Sequence, residues 1–271
     1  MMEEWFIGTS GFSYANWADK EGYYAKVKEK DRLSFLSKEF NFVEINNSFY
    51  RQPSFETLNR WKETVPEDFK FCVKVNRYFT HMKRLSVDDA FKNKWFLFWE
   101  TILSLQPKLG PVLFQLPPIK LTDLNRELIL CRLEALGNIL AKNQKFVFEC
   151  RDKSWDNRVI AELFKKYNWC FCIIHVNNKT HWAGDLDDGF FPKNEELWVT
   201  AKWGSYARFH GSEGQYYGSY KQSVLDEFIC KIKKQQEKLK VNFVAFNNTD
   251  EHNKLSSAIK DARLLKQLIK S

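Results

Sequence analysis

Residues 42–51 read FVEINNSFYR. Val43 and Ile45 form one apolar face of a short strand, and Glu44 and Asn46 lie on the other. Successive side chains of a strand point to opposite faces, so this segment meets two environments. Its polar face begins only in the C-terminal half, where a carboxylate is followed by Asn47 and Ser48. A short apolar run that ends in a polar or charged side chain recurs along the chain. That recurrence decides the fold class.

Seven further runs of this kind are predicted as strands: residues 5–8, 69–75 (FKFCVKV), 110–116 (GPVLFQL, stopped by Pro117 and Pro118), 145–150 (KFVFEC), 169–175 (WCFCIIH), 206–209 and 241–246. Helical apolar spacing is predicted over 33–40 with Asp31 as N-cap, 54–63, 91–105, 124–140, 157–167 with Asp156 or Asn157 as cap, 225–239 and 253–269. The thirty or so residues after His175 read as irregular. Eight short strands, most followed by a helix, predict an α/β protein made of one (β/α)8 TIM-type barrel spanning residues 1–271. No GxGxxG or GxxxxGK[ST] follows any strand, so a doubly wound nucleotide-binding sheet lacks support.

The 271 residues are 44% hydrophobic, enough for a large buried core, and 24 of them are Phe. None of the six Cys forms a CxxC pair, and four lie in apolar runs, as buried free thiols do. No apolar stretch reaches the length of a membrane span, and the acidic start MMEEWFIGTS, lacking a long apolar run, is not expected to act as a signal peptide. A cytoplasmic protein with no membrane partner is expected. The formal net charge of +8 fits either a lysine-rich solvated surface or an anionic partner.

Barrel geometry turns alternate residues inward and places active sites at the C-terminal strand ends. By this parity Glu44 and Asn46, then Lys74, Gln115, Glu149 and Arg151, and Arg208 and His210 face the mouth. One of Asn247 and Asn248 joins them. The ring carries Glu44 and Glu149 against Lys74, Arg151 and Arg208, a balance that suits a small polar or anionic ligand. Strand six ends on His175, and His81, His175 and His210 would add positive charge when protonated. Glu44 and Glu149, read as well separated around the ring, are the acid/base candidates. Lys74 is either a Schiff-base lysine desolvated near Arg or the ion-pair partner of Glu44. The alternative for the whole ring is a self-neutralising network that seals the mouth. A metal is not expected, because Lys and Arg oppose cation binding and no HxH or HxxxH spacing occurs, and no cofactor is implied. Loop aromatics Tyr14, Trp17, Tyr50, Tyr78, Trp155 and Trp182, together with Arg51, supply stacking and contact groups on the same side. With the net charge they support a second reading, a nucleic-acid-binding or processing protein, and a non-catalytic ligand-binding barrel is the third.

In order along the chain stand GTSGFSY (8–14), VEINNSFYR (43–51), KVNRYFTHMKRL (74–85), LGPVLFQLPP (109–118), FECRDKSW (148–155), RFHG (208–211) and FNN (246–248). This series resembles the domain of unknown function 72 family, also called YecE-like, over nearly the whole length. The resemblance implies a TIM-type barrel and brings no established reaction. The sequence departs from the family at Asn47-Ser48, where Ser-Thr is usual, at Asp152, where His is usual, and across residues 175–203, which fit the family pattern poorly and run longer than is typical.

Overall fold

A computed structural model describes residues 4–177, 186, 189–235, 241–249 and 255–270. Ten strands form one sheet: β1 Glu4–Ser10, β2 Phe42–Ile45, β3 Lys70–Lys74, β4 Leu109–Gln115, β5 Phe146–Glu149, β6 Cys170–Phe171, β7 Ile173–Val176, β8 Gly189–Phe191, β9 Ser205–Phe209 and β10 Val241–Phe246. Their order is β6-β5-β4-β3-β2-β1-β10-β9-β7-β8. Every pairing is parallel except β7 with β8. The helices are α1 Arg32–Ser37, α2 Phe55–Thr64, α3 Asp89–Leu103, α4 Arg126–Gly137, α5 Arg158–Tyr167, α6 Gln222–Lys233 and α7 Ser257–Lys270. The result is a mixed α/β fold built on a curled sheet.

The predicted sixth strand is two strands, because Cys172 interrupts it. Its first part pairs with β5 and its second with β9, so one short segment reaches both flanks of the curl. The stretch after it, read as irregular, contains β8. Phe190 there is buried against His175, Trp198, Phe209 and Phe228, and that packing makes a strand where local composition signals a loop.

The apolar faces predicted from alternation are buried. Phe148 lies against Phe164 of α5 and stacks on Phe114 at 4.8 Å, on the helix side of the sheet. On the interior side Phe6 stacks on Phe243, which also meets Phe42 and Tyr206. Each fully buried Phe contributes roughly 1.5–3 kcal/mol.

Helix starts follow the cap residues. Ser54 accepts from the Thr57 amide, Asp88 from Phe91 at 2.8 Å, and Asn157 from Ile160 at 3.1 Å. Asp31, expected to cap α1, instead ends a 3₁₀ turn and makes no capping bond. Replacing Asn157 with alanine should cost about 1 kcal/mol in a urea titration, with an unchanged slope.

Candidate functional site

The C-terminal strand ends bring one set of polar side chains together. Glu44, Glu149 and Arg208 are essentially inaccessible, at 0%, 0% and 1% exposure. Arg208 comes up from β9 and lies between the two carboxylates. Its Nη2 donates to Glu44 Oε1 at 2.7 Å and to Ser10 Oγ at 3.0 Å. Its Nη1 donates to Glu149 Oε2 and faces Gln115 Oε1 at 3.4 Å. Glu44 also accepts from Ser10 Oγ and, at 2.7 Å, from the Tyr206 hydroxyl. Glu149 accepts from Arg151 Nε. Asn46 donates to Ser10 Oγ at 2.8 Å.

Glu44 and Glu149 are therefore not separate around the ring. They lie on strands that are not neighbours, but one long guanidinium crosses the interior and holds both, as its fork of donors allows. Burial by itself would raise the Glu149 carboxyl. Arg151, Arg208 and His210 outweigh it and hold Glu149 well below the usual carboxylate range.

His210 is buried, with Nδ1 3.0 Å from Asn247 Nδ2 and Nε2 3.5 Å from Glu149 Oε2. With the Asn247 amide donating to Nδ1, the proton sits on Nε2 and faces Glu149. Burial, aided by Arg208 and Arg151, pushes His210 down to about 4 against the pull of Glu149. His81 is half-buried on the π-helical turn Tyr78–Met82, with Nδ1 2.9 Å from Thr80 Oγ1. Burial and then Lys74 and Arg151 push it down to about 4 as well. Both histidines are neutral near pH 7 and add no positive charge, contrary to the expectation from the sequence.

Lys74 has no carboxylate within ion-pair distance among the described residues. Its half-buried ammonium lies over the Phe49 ring, 4.3 Å from the centroid. Burial first, then Arg208 and Arg151, push it down to about 7, against Glu44 and Glu149. The expected Lys74–Glu44 pair is not formed, because Arg208, Ser10 and Tyr206 already occupy that carboxylate.

Asn247 faces the ring, and Asn248 does not. The Asn248 amide donates to Gly218 O at 2.9 Å and to Asp261 Oδ2 of α7 at 2.6 Å. The alternation that puts Phe243 on the interior side puts Asn247 there and turns Asn248 outward. His175 likewise packs against Phe190, Phe209 and Tyr220, away from the ring. Trp155 is no surface for a ligand: it is buried, with Nε1 donating to Ile119 O at 2.7 Å. Trp17 is buried among Tyr14, Tyr23 and Tyr24. Packing claims both indoles because burying an aromatic of that size gains more than leaving it at the rim. Tyr50 stays 73% exposed and Arg51 is exposed, outside the ring. Trp182 lies outside the described residues.

A cavity of about 270 Å³ opens at this end, lined by Phe12, Tyr14, Glu44, Asn46 and Tyr50 among others. Asn46 Oδ1 and Arg208 Nε are buried and have no hydrogen-bond partner among the described residues. A larger hollow of about 620 Å³ between α4 and α5 lacks any comparable buried charge. No group of three His, Cys, Asp or Glu side chains among the described residues is placed to hold a metal. Tyr206 is not among the candidates from sequence. Tyr206 shares a face with Arg208 by the same alternation, and that signal was available.

The profile of the family described as Protein of unknown function DUF72 matches residues 6–271. The chain is 26% identical over 272 residues to the UPF0759 protein YunF of Bacillus subtilis (strain 168), covering 90% of this chain and 88% of that protein. The crystal structure of a DUF72 family protein from Thermotoga maritima MSB8 superposes with a TM-score of 0.78, at 24% identity, over 99% of this chain and 100% of that one. A xylose isomerase-like TIM barrel fused to 4-hydroxyphenylpyruvate dioxygenase shares the fold alone, with a TM-score of 0.55 at 12% identity over 99% of this chain and 42% of that chain. The fold is thus TIM-barrel-like, no described helix is long and apolar enough to cross a membrane, and the chain belongs to the DUF72 family.

Proposed function

We propose that the sheet closes as a single (β/α)8 barrel, with residues 170–176 as its sixth stave, and that the protein is an enzyme acting on a small anionic substrate at the mouth. Lys74 and Arg151 receive the anion, and Asn46 and Gln115 orient it. The observation that carries this reading is Lys74. The two carboxylates cancel the two arginines, and the lysine charge is left over at a half-buried position. An anion supplies the missing countercharge.

The carboxylates fit acid/base work less well. A general acid needs a raised pKa, and Glu149 is held ionised by three neighbours. Glu44 and Glu149 instead position Arg208, while Lys74, pushed down to about 7, is the group that exchanges a proton near neutrality.

Calorimetric titration with inorganic phosphate tests the site. Saturable binding is expected, weakened about tenfold or more, equivalent to roughly 1.4 kcal/mol, by Lys74→Met and by Arg151→Gln. The protonated amine attracts the anion, so affinity should fall as pH rises through about 7. Absence of binding to phosphate and to small carboxylates alike would remove this reading. Binding of DNA or RNA that falls steeply with salt would favour the nucleic-acid alternative suggested by the +8 charge.

A further inference from the structure

We infer that Lys74 forms a Schiff base, and that its substrate is a small aldehyde or ketone that also carries a carboxylate or phosphate group. This rests on the anionic-ligand reading above and adds the chemical class of the substrate and the bond that is made.

The placement of the amine supports it. Lys74 is the last residue of β3, and Asn46 stands one step beyond the Ile45–Val73 register pair on the adjacent β2. The amine and the buried, unpartnered Asn46 Oδ1 are therefore on neighbouring strand ends at the mouth. One side of the ammonium is covered by the Phe49 ring, and His81 packs edge-on to the same ring, with centroids 5.0 Å apart. A lysine whose job is to neutralise a carboxylate would sit against one. Both carboxylates of the ring are taken up by other donors: Glu44 by Arg208, Ser10 and Tyr206, and Glu149 by Arg208 and Arg151. Glu44 and Glu149 already balance Arg208 and Arg151, so loss of the Lys74 proton leaves no carboxylate without its cation. The neutral amine that nucleophilic attack requires is thus the cheap state here. Burial and the two arginines push the group in the same direction, to about 7. A much larger share of it is neutral at pH 7 than the roughly one part in a few thousand of an ordinary lysine.

The step balances without a further reagent. The Nζ lone pair forms a bond to the carbonyl carbon, and the C=O π pair moves to oxygen. A proton passes from nitrogen to that oxygen to give the carbinolamine. A second proton, from solvent at the half-exposed mouth, lets the hydroxyl leave as water while nitrogen closes the C=N bond as an iminium. No oxidation state changes. Arg151, whose charge acts on Lys74 from the end of β5, holds the anionic end of the substrate.

The full-length protein is incubated at pH 7 with glyoxylate and sodium cyanoborohydride, and adducts are mapped by peptide mass spectrometry. Hydride from the reagent reduces the C=N bond and fixes the product. The expected result is an adduct on Lys74 at least tenfold ahead of the exposed Lys20, slower with the uncharged glycolaldehyde and competed by inorganic phosphate. Trapping should accelerate as pH rises through about 7, opposite to phosphate affinity. Lys74→Met should lose that adduct and keep the others. Because the adduct is located in the wild-type protein, a poorly folded variant would not blur the result. Phosphate binding with no enrichment at Lys74 would overturn the Schiff base and leave the anion site standing. Enrichment at Lys74 with no preference for glyoxylate and no competition by phosphate would overturn the substrate class and the anion reading together.

Discussion

Arg208→Met is expected to cost at least 3–5 kcal/mol of folding stability, the range for removing one partner of a buried ion pair. The upper end or beyond applies, because this one guanidinium serves two carboxylates at 0% exposure. Arg208→Lys should recover only part of the loss, since a single ammonium cannot reproduce the two-sided fork. The acid limb of stability should be shallower in the variant. In the wild type, the depressed Glu149 contributes stability above its unfolded pKa of about 4.3, and that contribution is lost as pH falls through its lower folded value. Without Arg208, Glu149 keeps only Arg151 as a close guanidinium and is protonated more readily, so the variant should lose less further stability than the wild type as pH falls. Urea midpoints along the acid limb measure this. A variant as stable as the wild type at pH 7 would show that the guanidinium does not bridge the carboxylates.

Glu149→Gln separates structure from catalysis at the same centre. The amide keeps the shape but removes the charge facing Arg208 and Arg151, and loses acceptor strength towards both. About 3 kcal/mol of destabilisation is expected, with a shallower acid limb, because the depressed carboxyl that generates the limb is gone. Glu44→Gln should cost less, since the amide oxygen can still accept from Arg208 while the amide NH2 donates to the Tyr206 hydroxyl oxygen. If Glu149→Gln melted like the wild type yet abolished turnover, carboxylate acid/base catalysis would replace the lysine-centred reading. Thermal melts alongside a turnover assay on an identified substrate would decide it.

Strand positions and the polar face were legible because both follow from a two-residue period. FVEI, FKFCVK and KFVFE alternate strongly enough to show which side chains share a face, and the apolar sets are buried as that period requires. The same two-residue period through residues 205–209 and 241–248 places Tyr206 and Asn247 on the interior face and Asn248 on the other. It fails where tertiary packing overrides local composition. Gly189–Phe191 is a strand because Phe190 docks over α6, and Trp155 is buried because a backbone carbonyl 36 residues away accepts its N–H.

Alternation along each strand determines which residues of this chain face the interior, and that information is local. Which of them touch is decided across the sheet. Arg208 bridges strands that are not neighbours, Glu44 is thereby withheld from Lys74, and the lysine is left over Phe49. Burial then sets the protonation states, holding Glu149 charged and His210 neutral and bringing Lys74 near its titration point. Partner choice and desolvation depend on distances between residues more than 100 positions apart, as for Glu44 and Arg208, and no period in the sequence encodes them.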